Sequence, residues 1–320
     1  MDVFTSICLL ICGVGIFLIG MFLMENGLSL AASAKIKTFF NKINSNPLKA
    51  YGLGAGTTMV LQSSSATSVM SMGFVEINFM TYKQAAAFVL GARFGTTITG
   101  ILVSFSTFSI TPIFMALAFF GICMMLFFKK PIIKNIGTVI AGFGTLFAGI
   151  QLMSDAISRH GELSDFFISM FQTIDLPLLL ITIGALFTGI IQSSSATNGL
   201  LITLLMSGTL DISQAIFLSI GATIGTCVTG LLACIGTGKE ARKVALFNIF
   251  TAIVGAVVVG TPICVFKKGT LYLLSRIASS QIWQLSFFSA GYGFIASVVC
   301  LIALSPLCRV VSLLTEKSSE

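Results

Sequence analysis

The chain has 320 residues, of which 56% are hydrophobic and 9% charged, with a mean hydropathy of +1.02 and a net charge of +7. Soluble domains carry roughly 25% charged residues, so this composition excludes an ordinary soluble enzyme or binding domain and points to an all-α polytopic membrane protein. The Lys and Arg residues lie in short loops between apolar segments, with no basic patch interleaved with aromatics, which makes the lipid bilayer a partner and argues against nucleic acid.

In chain order, apolar segments cover residues 4–28, 48–80, 84–104, 112–128, 136–156, 177–209, 214–235, 243–266 and 286–308. Most approach the ~20 residues that a helix needs to cross the hydrocarbon core. Met1-Asp2-Val3-Phe4 offers neither a positive n-region nor a small-residue cleavage site, so no removable signal peptide is expected. The first segment is Gly-rich (Gly13, Gly15, Gly20) and ends near Glu25, which reads as a membrane-surface residue. A basic loop with Lys35, Lys37, Lys42 and Lys49 leads into the second segment, which is centred on Gln62-Ser63-Ser64-Ser65-Ala66-Thr67. The third carries Gly91-Ala92-Arg93-Phe94-Gly95-Thr96-Thr97, and Lys129-Lys130-Pro131 closes the fourth.

The order then repeats. Gly142, Gly144 and Gly149 reproduce the opening glycines, and Gln192-Ser193-Ser194-Ser195-Ala196-Thr197 reproduces the hexapeptide. Gly221-Ala222-Thr223-Ile224-Gly225-Thr226-Cys227 follows it. The offset is 130 residues without a gap from Gly54–Leu102 to Gly184–Leu232. Three units follow: a first repeat (1–130), a second (131–270), and a C-terminal span with a short cytoplasmic tail (271–320).

Each hexapeptide segment is either one tilted span with a polar stripe or a re-entrant hairpin turning at Gln-Ser-Ser-Ser; the second is allowed where protein or a water-filled cavity surrounds the turn. Hairpins bring Lys129, Lys130 and Lys134 to the cytoplasmic face with Lys35–Lys49 and Lys239–Lys243, whereas full spans put them outside. The loop with Arg159, His160, Glu162, Asp165 and Asp175 is net acidic and reads as external, so the halves are inverted. Lys267, Lys268 and Arg276 then fall outside, against the rule. About seven transmembrane helices plus two re-entrant hairpins result.

Inverted repeats with broken segments and polar residues at the midplane mark secondary transporters. Serine hydroxyls, glutamine amides and free N–H groups at helix starts suit an anion, while hydroxyl and carbonyl oxygens suit a small cation. Neither hexapeptide contains a carboxylate. Arg93 stands near the middle of a span; it either binds an oxyanion through its planar fork or snorkels to an interface. The two-glycine elements fit a locally unwound span or tight helix packing. The eight cysteines form no C-x-x-C and read as small hydrophobes, and His160 is the only histidine, so no cofactor, redox or metal centre is expected beyond a coupling ion. A serine hydrolase would need a base and an orienting partner, which are missing, so the chain is not read as an enzyme. A non-transporting scaffold or receptor is the alternative of a different class.

The paired Gln-Ser-Ser-Ser motifs, each followed by Gly-Ala-x-x-Gly-Thr, and the opening Gly-x-Gly-x-x-x-x-Gly-x-x-Leu-Met resemble the type II sodium–phosphate cotransporter family over most of residues 10–265. That resemblance implies Na+-coupled symport of inorganic phosphate across the plasma (inner) membrane by alternating access. It places phosphate on Gln62, Ser63, Ser64 and Ser65 with Gln192, Ser193, Ser194 and Ser195; Arg93 joins them by its charge. It places Na+ among Ser65, Thr67, Ser68, Thr96 and Thr97 and, in the second half, Ser195, Thr197, Asn198, Thr223 and Thr226. Arg93 and Thr223 stand where the family usually has Asn, which leaves the number of coupled ions open. Another oxyanion, or phosphate export, fits the same fold, as does a homo-oligomer. The cytosolic helical extension of many bacterial relatives is not expected here.

Overall fold

A computed structural model describes residues 3–40, 46–107, 111–158, 161–174 and 176–317; Lys42, Arg159, His160 and Asp175 lie outside them, as do the side chains of Lys35, Lys37 and Glu162. The described elements are all helices.

The opening glycines set the frame. Helix α1 (Val3–Phe40) packs along α7 (Pro131–Ser158), which opens the second repeat. Gly13 meets Gly149 and Met153, Gly20 meets Gly142 and Leu146, and Gly27 meets Asn135 and Val139, so the two helices run antiparallel. The approach admits no side chain: a Cβ on Gly20 would stand 2.3 Å from the Leu146 nitrogen, and one on Gly149 2.4 Å from the Phe17 nitrogen. Gly142 and Gly149 are the copies of Gly13 and Gly20, so each glycine faces the copy of the other. Equivalent helices of the two halves thus run in opposite directions, as inverted repeats require.

The first hexapeptide separates α2 (Pro47–Leu61) from α3 (Ser64–Glu76), of 15 and 13 residues. At ~1.5 Å per residue neither arm spans the ~30 Å hydrocarbon core. Helix α4 (Tyr82–Gly95) fixes their directions. Gly54 packs on Phe88, Gly91 on Tyr51 and Ala55, and Gly95 on Ala55 and Thr58. The numbers climb together, so α2 and α4 are parallel and start at the same face. The chain must return between them, and α3 makes that return. The segment is therefore a re-entrant hairpin, and the tilted-span alternative is overturned. In the second half α9 (Pro177–Ile191), α10 (Ser194–Met206) and α11 (Ile212–Gly225) repeat the pattern: Gly184 packs on Leu218, Gly221 on Ile181, and Gly225 on Ala185 and Thr188. The two glycines of each Gly-Ala-x-x-Gly element are thus packing residues.

Helices α4 and α11 continue, after an irregularity at Thr96 and Thr226, as α5 (Thr97–Ser104) and α12 (Cys227–Ala233). These two spans join α1, α7, α13 (Lys239–Val265) and α15 (Gln281–Ile302) as the six helices, among the described residues, that are long and apolar enough to cross a bilayer. Helix α6 (Thr111–Phe127), of 17 residues, lies antiparallel on α7 through Gly121–Ala141 and Gly144–Ala118 and makes a seventh.

Three shorter helices depart from the sequence expectation. The acidic loop contains α8 (Gly161–Gln172), and α14 (Lys267–Ile277) follows α13. The last segment, expected over 286–308, ends at Ile302; α16 (Leu304–Lys317) then buries Leu304, Cys308 and Val311 against α4 and α13. The expected tail is therefore largely an amphipathic helix. Lys49, Lys83, Lys129, Lys130, Lys134 and Lys239 sit at helix ends on one face, where Gly238 also donates to the Glu76 carboxylate at the end of α3. Lys267, Lys268 and Arg276 lie on the opposite face, on α14.

Candidate functional site

Both hexapeptides are helix breaks with the same mechanics. Gln62 (φ 55°) and Gln192 (φ 60°) end the entering arm in the left-handed region, which is uncommon for a residue with a Cβ. Ser63 and Ser193 then turn extended and cap the leaving arm: their Oγ atoms accept from the Ala66 nitrogen at 3.3 Å and the Ala196 nitrogen at 3.2 Å. Capping satisfies only part of a helix start. The N–H groups of Ser64 and Ser65, and of Ser194 and Ser195, keep no acceptor within their helices, at the positive ends of the two helix dipoles.

These two helix starts border one cavity of about 70 Å³. That volume suits a small polyatomic ion, not a drug-sized solute. Sixteen of its twenty lining residues form eight pairs, each 130 residues apart. Four pairs are identical or nearly so in chemistry: Ser64/Ser194, Ser65/Ser195, Thr96/Thr226 and Gly100/Gly230. The other four differ: Ser68/Asn198, Val89/Ser219, Arg93/Thr223 and Thr97/Cys227. The remaining four lining residues are Asn248 on α13 and Ser289, Tyr292 and Gly293 on α15. Among the described residues no carboxylate lines the cavity, and Arg93 is the lining residue with a permanent charge.

Arg93 does not snorkel. Its Nη2 donates to the Asn248 carbonyl at 2.6 Å and to Asn248 Oδ1 at 2.7 Å, with Cys227 Sγ 4.0 Å away. Across the cavity, Ser219 Oγ donates to Asn198 Oδ1 at 2.9 Å and lies 3.1 Å from Ser289 Oγ. Thr96 and Thr226 mark the irregularities in the two spans, each hydroxyl donating back to the carbonyl four residues earlier, at 3.1 and 2.8 Å.

The sequence profile described as Na+/Pi-cotransporter matches residues 16–155 and again residues 168–296, each match containing one of the two hexapeptides. The chain belongs to the Na+/Pi-cotransporter family. Among curated relatives of this cotransporter family, the "Uncharacterized protein YqeW" of Bacillus subtilis is 27% identical over 93% of this chain and 94% of its own length. The "Putative inorganic phosphate export protein YjbB" of Escherichia coli is 26% identical over 94% of this chain, which spans about half (54%) of it. The "Sodium-dependent phosphate transport protein 2B" of Homo sapiens is 29% identical over 34% of this chain and 17% of its own length. No solved structure matches the chain.

Eleven of the site residues expected from the family resemblance and from charge line the cavity: Ser64, Ser65, Ser68, Arg93, Thr96 and Thr97, and then Ser194, Ser195, Asn198, Thr223 and Thr226. Six lie behind it. Ser63 and Ser193 are caps; Thr67 Oγ1 donates to the Ser63 carbonyl at 2.8 Å, and Thr197 Oγ1 is 2.7 Å from Thr188 Oγ1. Gln62 is buried, its Nε2 bonded to the Met59 carbonyl at 2.5 Å and its Oε1 to Thr99 Oγ1 at 2.7 Å, whereas Gln192 is exposed. Thr58, the copy of Thr188, has a buried hydroxyl with no partner among the described residues. Ser219, Asn248, Ser289 and Tyr292 were not anticipated. A lone Asn in the apolar run 243–266 was a usable signal; the serines and the tyrosine were not.

Proposed function

We propose that this member of the cotransporter family is a secondary transporter, not an enzyme, that moves inorganic phosphate across the plasma membrane coupled to Na+. The observation that carries this reading is the carboxylate-free cavity, in which two helix starts with free N–H groups meet the Arg93 guanidinium. Phosphate offers oxygens to every one of these donors. Ser64, Ser65, Ser194 and Ser195 would hold the anion with Arg93. Hydroxyl and amide oxygens of Asn198, Thr223 and Thr226 would supply ligands for the coupling ion, with Ser68 and Thr96 at the equivalent positions of the first half.

Alternating access is supported by the unequal hairpin tips. The first hairpin enters from the Lys-rich face, which the positive-inside rule makes cytoplasmic. Its tip is sealed by Gln62–Thr99. The exposed Gln192 tip has no such bond to Thr229, and Thr188–Thr197 instead ties its arms together. The exchanged state would form Gln192–Thr229 and release Gln62.

The test is uptake of radiolabelled phosphate into proteoliposomes under an imposed Na+ gradient. Accumulation above the choline control is expected, together with phosphate-dependent thermal stabilisation that Ser64→Ala and Ser194→Ala abolish. Movement of a different anion without phosphate would refute the assigned cargo. A second reading, phosphate export, takes support from the export protein similar over 94% of this chain. Phosphate-loaded vesicles with Na+ outside distinguish it by Na+-independent efflux.

A further inference from the structure

The two halves of the cavity are built from equivalent positions, so a difference between them is informative in a way that a single residue is not. In the second half, Asn198, Ser219 and Thr223 cluster with Ser289 of α15. Ser219 Oγ is 2.9 Å from Asn198 Oδ1 and 3.1 Å from Ser289 Oγ, and Thr223 Oγ1 donates to the Ser219 carbonyl at 3.3 Å. This is a group of uncharged oxygens at one place, the ligand type that hard cations take. Divalent ions are held mainly by carboxylates, and none is present here, so a monovalent ion fits. In the first half, the same three positions are Ser68, Val89 and Arg93. Valine supplies no oxygen, and the guanidinium, held by two bonds to Asn248, already supplies a positive charge.

We propose that the Arg93 guanidinium, clamped by Asn248, is a built-in cation occupying the first half-site, and that one Na+ binds the second half-site against Asn198, Ser219, Thr223 and Ser289. The proposal rests on the transport reading above. A phosphate group carries between about one and two negative charges near neutral pH. One guanidinium and one Na+ together balance it, so a second diffusible ion is not needed. The consequence is a coupling ratio lower by one Na+ than two equivalent half-sites would give.

Two measurements test this with the full chain. The first is Na+-dependent thermal stabilisation without phosphate, with choline as the control. Wild type is stabilised by Na+, and Ser219→Val, which installs the residue the first half already carries at Val89, raises the required Na+ at least tenfold. The second is the phosphate gradient that just balances a tenfold Na+ gradient across a voltage-clamped proteoliposome. With the membrane potential held at zero, each coupled Na+ multiplies the balancing phosphate ratio tenfold, so the double variant Val89→Ser/Arg93→Thr, which copies the second-half ligands Ser219 and Thr223 into the first half, raises it about tenfold while Arg93→Lys leaves it at the wild-type value. An unchanged Na+ midpoint in Ser219→Val overturns the proposal, as does an unchanged ratio in Val89→Ser/Arg93→Thr. Failure of wild type to bind or move phosphate would instead strike the transport reading, and the Na+ melt of Ser219→Val would still decide whether the cation site exists.

Discussion

Replacing Asn248 by Asp changes one atom's identity and one unit of charge, so it isolates the electrostatics of the cavity. Asn248 is buried, at 8% exposure, and its Oδ1 already accepts from Arg93 at 2.7 Å. A carboxylate in the same place keeps both hydrogen bonds and adds an ion pair, so the fold is retained and the melting temperature stays level or rises. For the anion the change is adverse. The cavity passes from one positive charge to none, and a bound phosphate would face a new negative charge; for unit charges about 7 Å apart at an effective dielectric near 20, the repulsion is about 2 kcal/mol per phosphate charge. Phosphate affinity should fall by roughly 30-fold or more. Calorimetric titration of phosphate into detergent-purified wild type and Asn248→Asp reads this directly, with the melt of each protein as the folding control. An affinity within twofold of wild type, in a variant that melts normally, would refute the assignment of anion binding to the positive charge at Arg93.

Two further outcomes follow from the packing. Gly91→Val and Gly221→Val should lower thermal stability by at least the ~1–3 kcal/mol of an overpacked core, because a Cβ there would lie 1.9 Å and 2.0 Å from the carbonyl oxygens of Tyr51 and Ile181; Gly52→Ala and Gly56→Ala, with nothing within 4 Å, should melt near wild type. Thr99→Val strips the buried Gln62 Oε1 of its donor at a cost of about 1–3 kcal/mol, while Thr229→Val loses only a 3.5 Å contact with Ser65, so equal melting shifts in the two variants would contradict the described asymmetry of the hairpin tips.

Much of this architecture was legible in the sequence because the repeated residues are those that backbone geometry constrains most. Gly54, Gly91 and Gly95, with their copies, sit where one helix's carbonyls touch another helix. Ser63 and Ser193 sit where a helix start needs an acceptor, and such positions tolerate few substitutes. The hairpin, left as one of two readings by hydropathy, needed the parallel course of α2 and α4 to settle it, since hydrophobicity does not record chain direction. The short helices were hidden for a different reason. The break at Ala303 falls inside a continuous apolar run, and Pro306 in the first turn of α16 was its only local mark. Asn248 was missed because α13 is the sequential counterpart of α6, yet α6 packs on α7 while α13 enters the cavity wall, so the repeat could not point to it.

The departures from symmetry are therefore as informative as the symmetry. Identity is kept at Ser64/Ser194 and Ser65/Ser195, beside the free N–H groups, where an anion lying between the halves would be touched by both copies at once. It is lost at Ser68/Asn198, Val89/Ser219 and Arg93/Thr223, on the flanks, where each half faces its own neighbours on α13 and α15. A ligand shared across a pseudo-two-fold axis constrains both copies of a residue together, whereas ligands bound to one flank constrain only that flank. Helices α13 and α15, which have no equivalents in the cavity wall, then allow one flank to acquire a charge anchor, Asn248, and the other an oxygen donor, Ser289. Under the proposed transport reading the shared positions would answer to the anion and the divergent ones to its counter-charges, so substitutions at Arg93 and Ser219, not at the serines of the hexapeptides, are expected to alter coupling while leaving the anion's own contacts with the helix starts in place.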